Sequence, residues 1–72
     1  MKLLQISGKE LVKKLMRQGF VVTRQRGSHI RIEKNTSNKT IKITIPNHNK
    51  LKKGTLSNIL KTAEINAEEI FH

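Results

Sequence analysis

Isoleucine falls on every second residue in two separate places, at Ile30 and Ile32 and then at Ile41, Ile43 and Ile45. Only an extended chain carries such a row to one side, because successive strand side chains point to opposite faces, whereas a helix would scatter them around its circumference. Two strands are therefore expected, each burying its isoleucines. The interleaved residues, His29, Arg31 and Glu33 in the first run and Thr40, Lys42 and Thr44 in the second, must then share the opposite face. Asn35-Thr36-Ser37-Asn38 has the composition of a hairpin loop between them, and Pro46 ends the second run.

A third strand is expected just before these, where Phe20, Val22 and Arg24 alternate with Val21, Thr23 and Gln25 up to the turn residues Gly27-Ser28. Three short strands joined by tight connections make an antiparallel meander, and its single apolar face needs a cover. Two helical stretches supply one. Ser7-Gly8-Lys9-Glu10 has the spacing of a capping box, and Leu11, Val12, Leu15 and Met16 follow at one-turn intervals, predicting a helix from Gly8 to Gln18 stopped by Gly19. Leu56, Ile59, Leu60 and Ala63 repeat in the same way over Gly54 to Ala63, after a polar, basic loop from Asn47 to Lys53. Asn66-Ala67-Glu68-Glu69 can cap one more short turn carrying Ile70 and Phe71. The expected fold is α+β, in the order α-β-β-β-α, with two helices packed on one face of a three-stranded antiparallel sheet.

A chain of 72 residues holds one domain, here residues 1–72, and a domain of this size buries only about 60% of its unfolded surface. With no cysteine there is neither a disulfide framework nor a thiolate zinc site, so the stability must come from packed Leu, Ile and Val. No apolar run approaches the roughly 20 residues that cross a bilayer, and Met1-Lys2-Leu3-Leu4-Gln5 lacks the pattern of a signal peptide, so a soluble cytoplasmic protein is expected. Membrane association is not expected either, because no segment joins a basic face to a large apolar one.

Charge narrows the choice of partner. Fifteen Lys and Arg stand against five acids, a formal net charge of +10, and three of those acids, Glu64, Glu68 and Glu69, lie near the C-terminus beyond the last cation, Lys61. A field of this sign and density favours a polyanion, with nucleic acid foremost.

Few residues can carry chemistry. No glycine-rich phosphate loop or His-Glu-x-x-His pattern occurs, there is no Asp, and the three histidines are widely spaced, so neither a metal site nor a cofactor is expected. Ser28 and His29 are neighbours whose side chains would leave a strand on opposite faces, which argues against a Ser-His nucleophilic couple. His29 nevertheless opens a strand, on its polar face and among cations. An imidazole there can exchange a proton near neutral pH, and RNA cleavage needs little more, since the substrate brings its own 2′-OH nucleophile. A second constellation, Lys50-Leu51-Lys52-Lys53-Gly54-Thr55, leads into a helix start, where backbone N–H groups favour phosphate. His48 is a loop histidine with a weaker claim.

Several stretches together resemble one family. They are Ser7-Gly8-Lys9-Glu10 with Leu15 and Gly19-Phe20, then Arg24-Gln25-Arg26-Gly27-Ser28-His29, then Ile45-Pro46-Asn47-His48, and last Leu51-Lys52-Lys53-Gly54-Thr55-Leu56 with Ile59-Leu60-Lys61. Across residues 6–65 the chain resembles the HicA mRNA interferases, toxins of bacterial and archaeal toxin–antitoxin pairs. The resemblance implies a double-stranded-RNA-binding-domain-like fold, endoribonuclease activity on mRNA, a catalytic histidine at His29, and a HicB-type antitoxin that covers it. RNA contacts are expected at Arg24, Arg26, Ser28, Arg31, Lys42, Lys52, Lys53 and Thr55, with His48 as a secondary candidate. The chain departs from the pattern at Glu64, where relatives commonly carry Gly after the second helix, and at Ile30, where many carry a second His or another polar residue. The competing function on the same fold is a non-catalytic double-stranded-RNA-binding module, which reads phosphates and 2′-OH groups without needing an imidazole at the open end of the sheet.

Overall fold

The computed structural model describes residues 6–70; Phe71, placed on the last turn by its sequence, and the first five residues lie outside them. The elements run α1 (Gly8–Met16), β1 (Val21–Arg26), β2 (His29–Asn35), β3 (Thr40–Pro46), α2 (Lys53–Ala63) and α3 (Ala67–Ile70). The sheet has the order β1-β2-β3 with both pairings antiparallel. This is the α-β-β-β-α arrangement expected from the isoleucine rows, in keeping with the double-stranded-RNA-binding-like fold. None of the described helices is long and apolar enough to cross a membrane.

All five strand isoleucines are buried in a single cluster with Leu11 and Leu15 of α1 and Leu56, Ile59 and Leu60 of α2. The two helices thus cover one face of the sheet, and the residues between the isoleucines face outward. The expected serine cap holds α1, since the Ser7 hydroxyl accepts from the Glu10 backbone N–H at 3.1 Å, while the Glu10 carboxylate accepts from that hydroxyl at 3.2 Å. The predicted extension of α1 to Gln18 does not form. The helix ends at Met16 because Gly19, at φ +100°, lets its own N–H reach the Met16 carbonyl and the Phe20 N–H reach the Leu15 carbonyl. Phe20 is therefore the buried residue that follows the helix stop, and strand β1 begins one residue later than its alternation suggested.

The second helix stops in the same way without a glycine. Glu64 takes the left-handed conformation (φ 61°, ψ 40°), its N–H bonds the Lys61 carbonyl, and the N–H of buried Ile65 bonds the Leu60 carbonyl. The left-handed stop is made here by a residue that pays the Cβ penalty and pairs its carboxylate with Lys39. Beyond it, Asn66 donates its backbone N–H to the Glu69 carboxylate at 3.4 Å, and Lys14 of α1 donates to the Ile70 carbonyl at 3.2 Å, which docks α3 over the core.

Gly8 connects the helical layer to the far end of the sheet. A Cβ on Gly8 would collide with the Pro46 carbonyl, while the Gly8 N–H bonds the His48 carbonyl at 2.9 Å and the Leu51 N–H bonds the Ile6 carbonyl at 2.9 Å. The chain after β3 is thereby laced to the start of α1, and buried Leu51 anchors what the sequence shows only as a basic loop.

Candidate functional site

The polar face of the sheet is built in cross-strand rows, because directly opposed residues of an antiparallel pair put their side chains on the same side. Arg26, His29 and Pro46 form the first row, Arg24, Arg31 and Thr44 the second, and Val21, Glu33 and Lys42 the third. Strict alternation along β1 would have put Arg24 on the face of Val22, the one shared with Ile32 and turned away from His29. A bulge between Val22 and Arg24 prevents this: Val22 pairs with Ile32 and Arg24 with the next residue back, Arg31, so that Thr23 is the extra residue. The Thr23 hydroxyl donates to the Glu33 carboxylate at 3.2 Å and also approaches the Arg31 carbonyl at 3.4 Å, holding the bulge in place. One inserted residue therefore turns both arginines of β1 toward His29.

The turn does the rest. Arg26 and His29 are paired, so the connection has two residues, with Gly27 at φ +57° and Ser28 at negative φ, the signs of a type II′ hairpin turn that requires glycine first. The Ser28 carbonyl accepts from the Asn47 N–H at 2.7 Å, which fastens this turn to the exit of β3 beside Pro46. The result is a shallow hollow of about 320 Å³ lined by Arg24, Arg26, His29, Arg31 and Thr44. An exposed imidazole thus sits among three guanidinium groups, each able to fork two N–H donors onto a phosphate. No carboxylate lines the hollow. Glu33 stands one row further along, where it serves Thr23.

A second cleft, of about 300 Å³, runs between β3 and α2 and is lined by Lys42, Thr44, Thr55, Asn58 and Thr62 over the apolar floor of Ile43 and Ile59. Thr44 belongs to both and joins them. Of the residues singled out in the sequence, Arg24, Arg26, His29 and Arg31 meet in the hollow, and Lys42 and Thr55 line the adjoining cleft. Ser28, His48, Lys52 and Lys53 line neither. His48 is held by its carbonyl, with its side chain exposed. Lys52 is the N-cap of α2 with no side-chain cap bond and no acid in the first turn, so the positive end of that helix is left to solvent beside two lysines.

Thr44 lies on the polar face that the strand alternation marks as the candidate site, though the alternation gives it no role of its own, and Asn58 and Thr62 are not among the residues singled out above. Their signal was present: Thr55, Asn58 and Thr62 are spaced by three and four residues, a polar stripe along one flank of α2 beside its buried Leu56, Ile59 and Ala63. Among the described residues, no group of three or more His, Cys, Asp or Glu side chains is placed to hold a metal ion.

No curated protein matches the chain. A family model described as the HicA toxin of bacterial toxin–antitoxin matches residues 8–65, from the glycine that opens α1 to the isoleucine that follows the stop of α2. A match over this much of its length shows that the chain belongs to the HicA family of toxins from bacterial toxin–antitoxin pairs.

Proposed function

We propose that the protein is the toxin of such a pair and acts as an endoribonuclease on mRNA, with His29 carrying a proton in the cleavage step and the hollow around it holding the scissile phosphate. The observation that supports this reading best is the setting of His29, an accessible imidazole within a hollow whose other charged groups are all arginines.

The chemistry follows from what RNA brings and what the hollow adds. The 2′-oxygen attacks the adjacent phosphorus, forming an O–P bond, while the bond from phosphorus to the 5′-oxygen of the next nucleotide breaks. The 2′-OH proton must be taken up and the departing 5′-oxygen must receive one, and His29 performs one of these transfers as general base or general acid. The pentacovalent phosphorane carries more negative charge than the starting diester. Arg24, Arg26 and Arg31, brought to the hollow by the register of the sheet, stabilise that added charge. Each positioned donor of this kind typically contributes about 10²–10³ in rate. The products are a 2′,3′-cyclic phosphate and a free 5′-hydroxyl.

A double-stranded-RNA-binding module on the same fold would need the cations but not the imidazole. Incubating the purified chain with a defined RNA in the presence of EDTA and identifying the fragment ends separates the two. Cyclic phosphate ends support the nuclease; intact RNA, bound but uncut, supports the binder.

The partner in this reading is a HicB-type antitoxin that covers the His29 face. The arginine rows and the charge of +10 favour an acidic surface on that partner, one that occupies the phosphate positions.

A further inference from the structure

The six threonines of the chain divide by what their hydroxyls do. Thr23 bonds Glu33, Thr36 closes the β2–β3 loop by donating to the Lys39 carbonyl at 2.8 Å, and Thr40 donates to the Asn35 side chain at 2.8 Å. Those three serve the fold. Thr44, Thr55 and Thr62 make no hydrogen bond through their side chains to any of the described residues, nor does the amide of Asn58. All four of these side chains line the single cleft between β3 and α2. Four polar side chains that the fold does not use thus line one concave place, and Thr44 belongs both to it and to the arginine hollow.

We propose that the β3–α2 cleft is a subsite for a single nucleotide next to the scissile phosphate, with Asn58 as the residue that reads its base. The inference rests on the nuclease reading above and extends it to substrate class and specificity. A planar amide offers a donor and an acceptor side by side, which matches the edge of a base carrying the complementary pair, as adenine does at N6 and N7. Thr55 and Thr62 flank Asn58 along α2 and supply hydroxyls that both give and accept, suited to a 2′-OH or to the remaining polar atoms of the base. The apolar floor of Ile43 and Ile59 meets the face of the ring, and Lys42 at the cleft supplies a cation for the neighbouring phosphate. At about 300 Å³ the cleft lies at the small end of ligand sites, which run from about 300 to 1,000 Å³. Its lining along the helix flank is reached by a base splayed out of a single strand, whereas a base stacked within a duplex keeps its face covered, so the preferred substrate is unpaired RNA.

The test is a cut-site profile. A defined single-stranded RNA of mixed sequence is digested by the full chain, and the fragment ends are sequenced to give the base preference on each side of the cut. Asn58→Ala is expected to weaken the preference at one adjoining position by about tenfold. Ser57→Ala, on the same helix but outside the cleft, should leave the profile unchanged. A profile identical for wild type and Asn58→Ala overturns the subsite and leaves the nuclease standing, whereas RNA left uncut by the wild type overturns both. The unsubstituted protein gives a second readout that needs no variant. Titration with a fully 2′-O-methylated single strand should shift the NMR signals of the Asn58 side-chain amide and of the Thr55 and Thr62 backbone amides, and the same strand in a duplex should shift them less. Shifts confined to the arginine hollow, or equal shifts with the duplex, would overturn the assignment.

Discussion

Arg24 and Arg31 are directly opposed across β1 and β2, with both side chains on the solvent face of the sheet. Opposed cross-strand pairs of opposite charge add about 0.2–1 kcal/mol to sheet stability, and like pairs subtract from it. The sheet therefore carries a small built-in repulsion at the position proposed for the phosphate. The prediction is that Arg24→Thr raises the stability of the free chain by about 0.5 kcal/mol while weakening its binding to RNA. Urea titration and a binding isotherm on the same preparation check both signs, and a variant that loses stability would show that the guanidinium groups are not in opposition.

Salt separates the two basic regions. A surface that neutralises several phosphates releases their counterions, so RNA affinity should fall steeply as salt is raised. Replacing Lys52 and Lys53 together by Ala, at the uncapped start of α2, should reduce the slope of log affinity against log salt by about one to two. An unchanged slope would confine the phosphate path to the arginine hollow and Lys42.

Gly8 carries a different kind of prediction, since it lies on the helical layer and touches no residue of the hollow. Its missing Cβ makes room for the Pro46 carbonyl, and Pro46 is the cross-strand neighbour of His29. Gly8→Ala should cost about 1–3 kcal/mol, a large share of the roughly 5 kcal/mol at the lower end of small-domain stability. It should also disturb the first row of the site. Thermal melts, together with the amide shifts of His29 and Asn47, check the two effects; a melt within error of wild type would mean that the loop after β3 yields freely.

Most of the fold was legible because it follows from period. The isoleucine rows set β2 and β3 and the polarity of their faces, and the Ser7 cap and helical spacing set α1 and α2. The bulge at Thr23 was not legible. Nothing in the run Val21-Val22-Thr23-Arg24 marks an inserted residue, and only the pairing with Ile32 and Arg31 shows that the alternation breaks. That break decides on which face Arg24 and Arg26 stand, so the sequence could name the arginines but could not derive why they surround His29. Glu64 is the opposite case. A glutamate at that position gives no local sign of a left-handed stop, and the conformation is enforced by burial of Ile65 beyond it and by the two carbonyls that its turn satisfies. In the run from Lys50 to Thr55 nothing local marks Leu51 as a core residue, yet the structure buries it while Lys50, Lys52 and Lys53 stay outside both clefts and Thr55 lines the second.

If the antitoxin covers the His29 face through an acidic surface, it must compete with RNA, and its association rate should fall as ionic strength rises. Backbone amides from His29 to Glu33 should gain hydrogen-exchange protection in the complex. Protection confined to residues 64–70, or simultaneous binding of RNA and antitoxin, would place inhibition elsewhere.

The most direct test of the central claim is the cleavage rate of His29→Ala against wild type, measured on one defined RNA with EDTA present. His29 is exposed at the first position of its strand, so its removal should leave the melting temperature nearly unchanged. Cleavage should fall by about 10²–10⁴-fold, the usual contribution of a positioned proton-transfer group. His48→Ala, outside the hollow, should remain within a few-fold of wild type. A His29→Ala protein that cuts at the wild-type rate would remove His29 from the proton transfer.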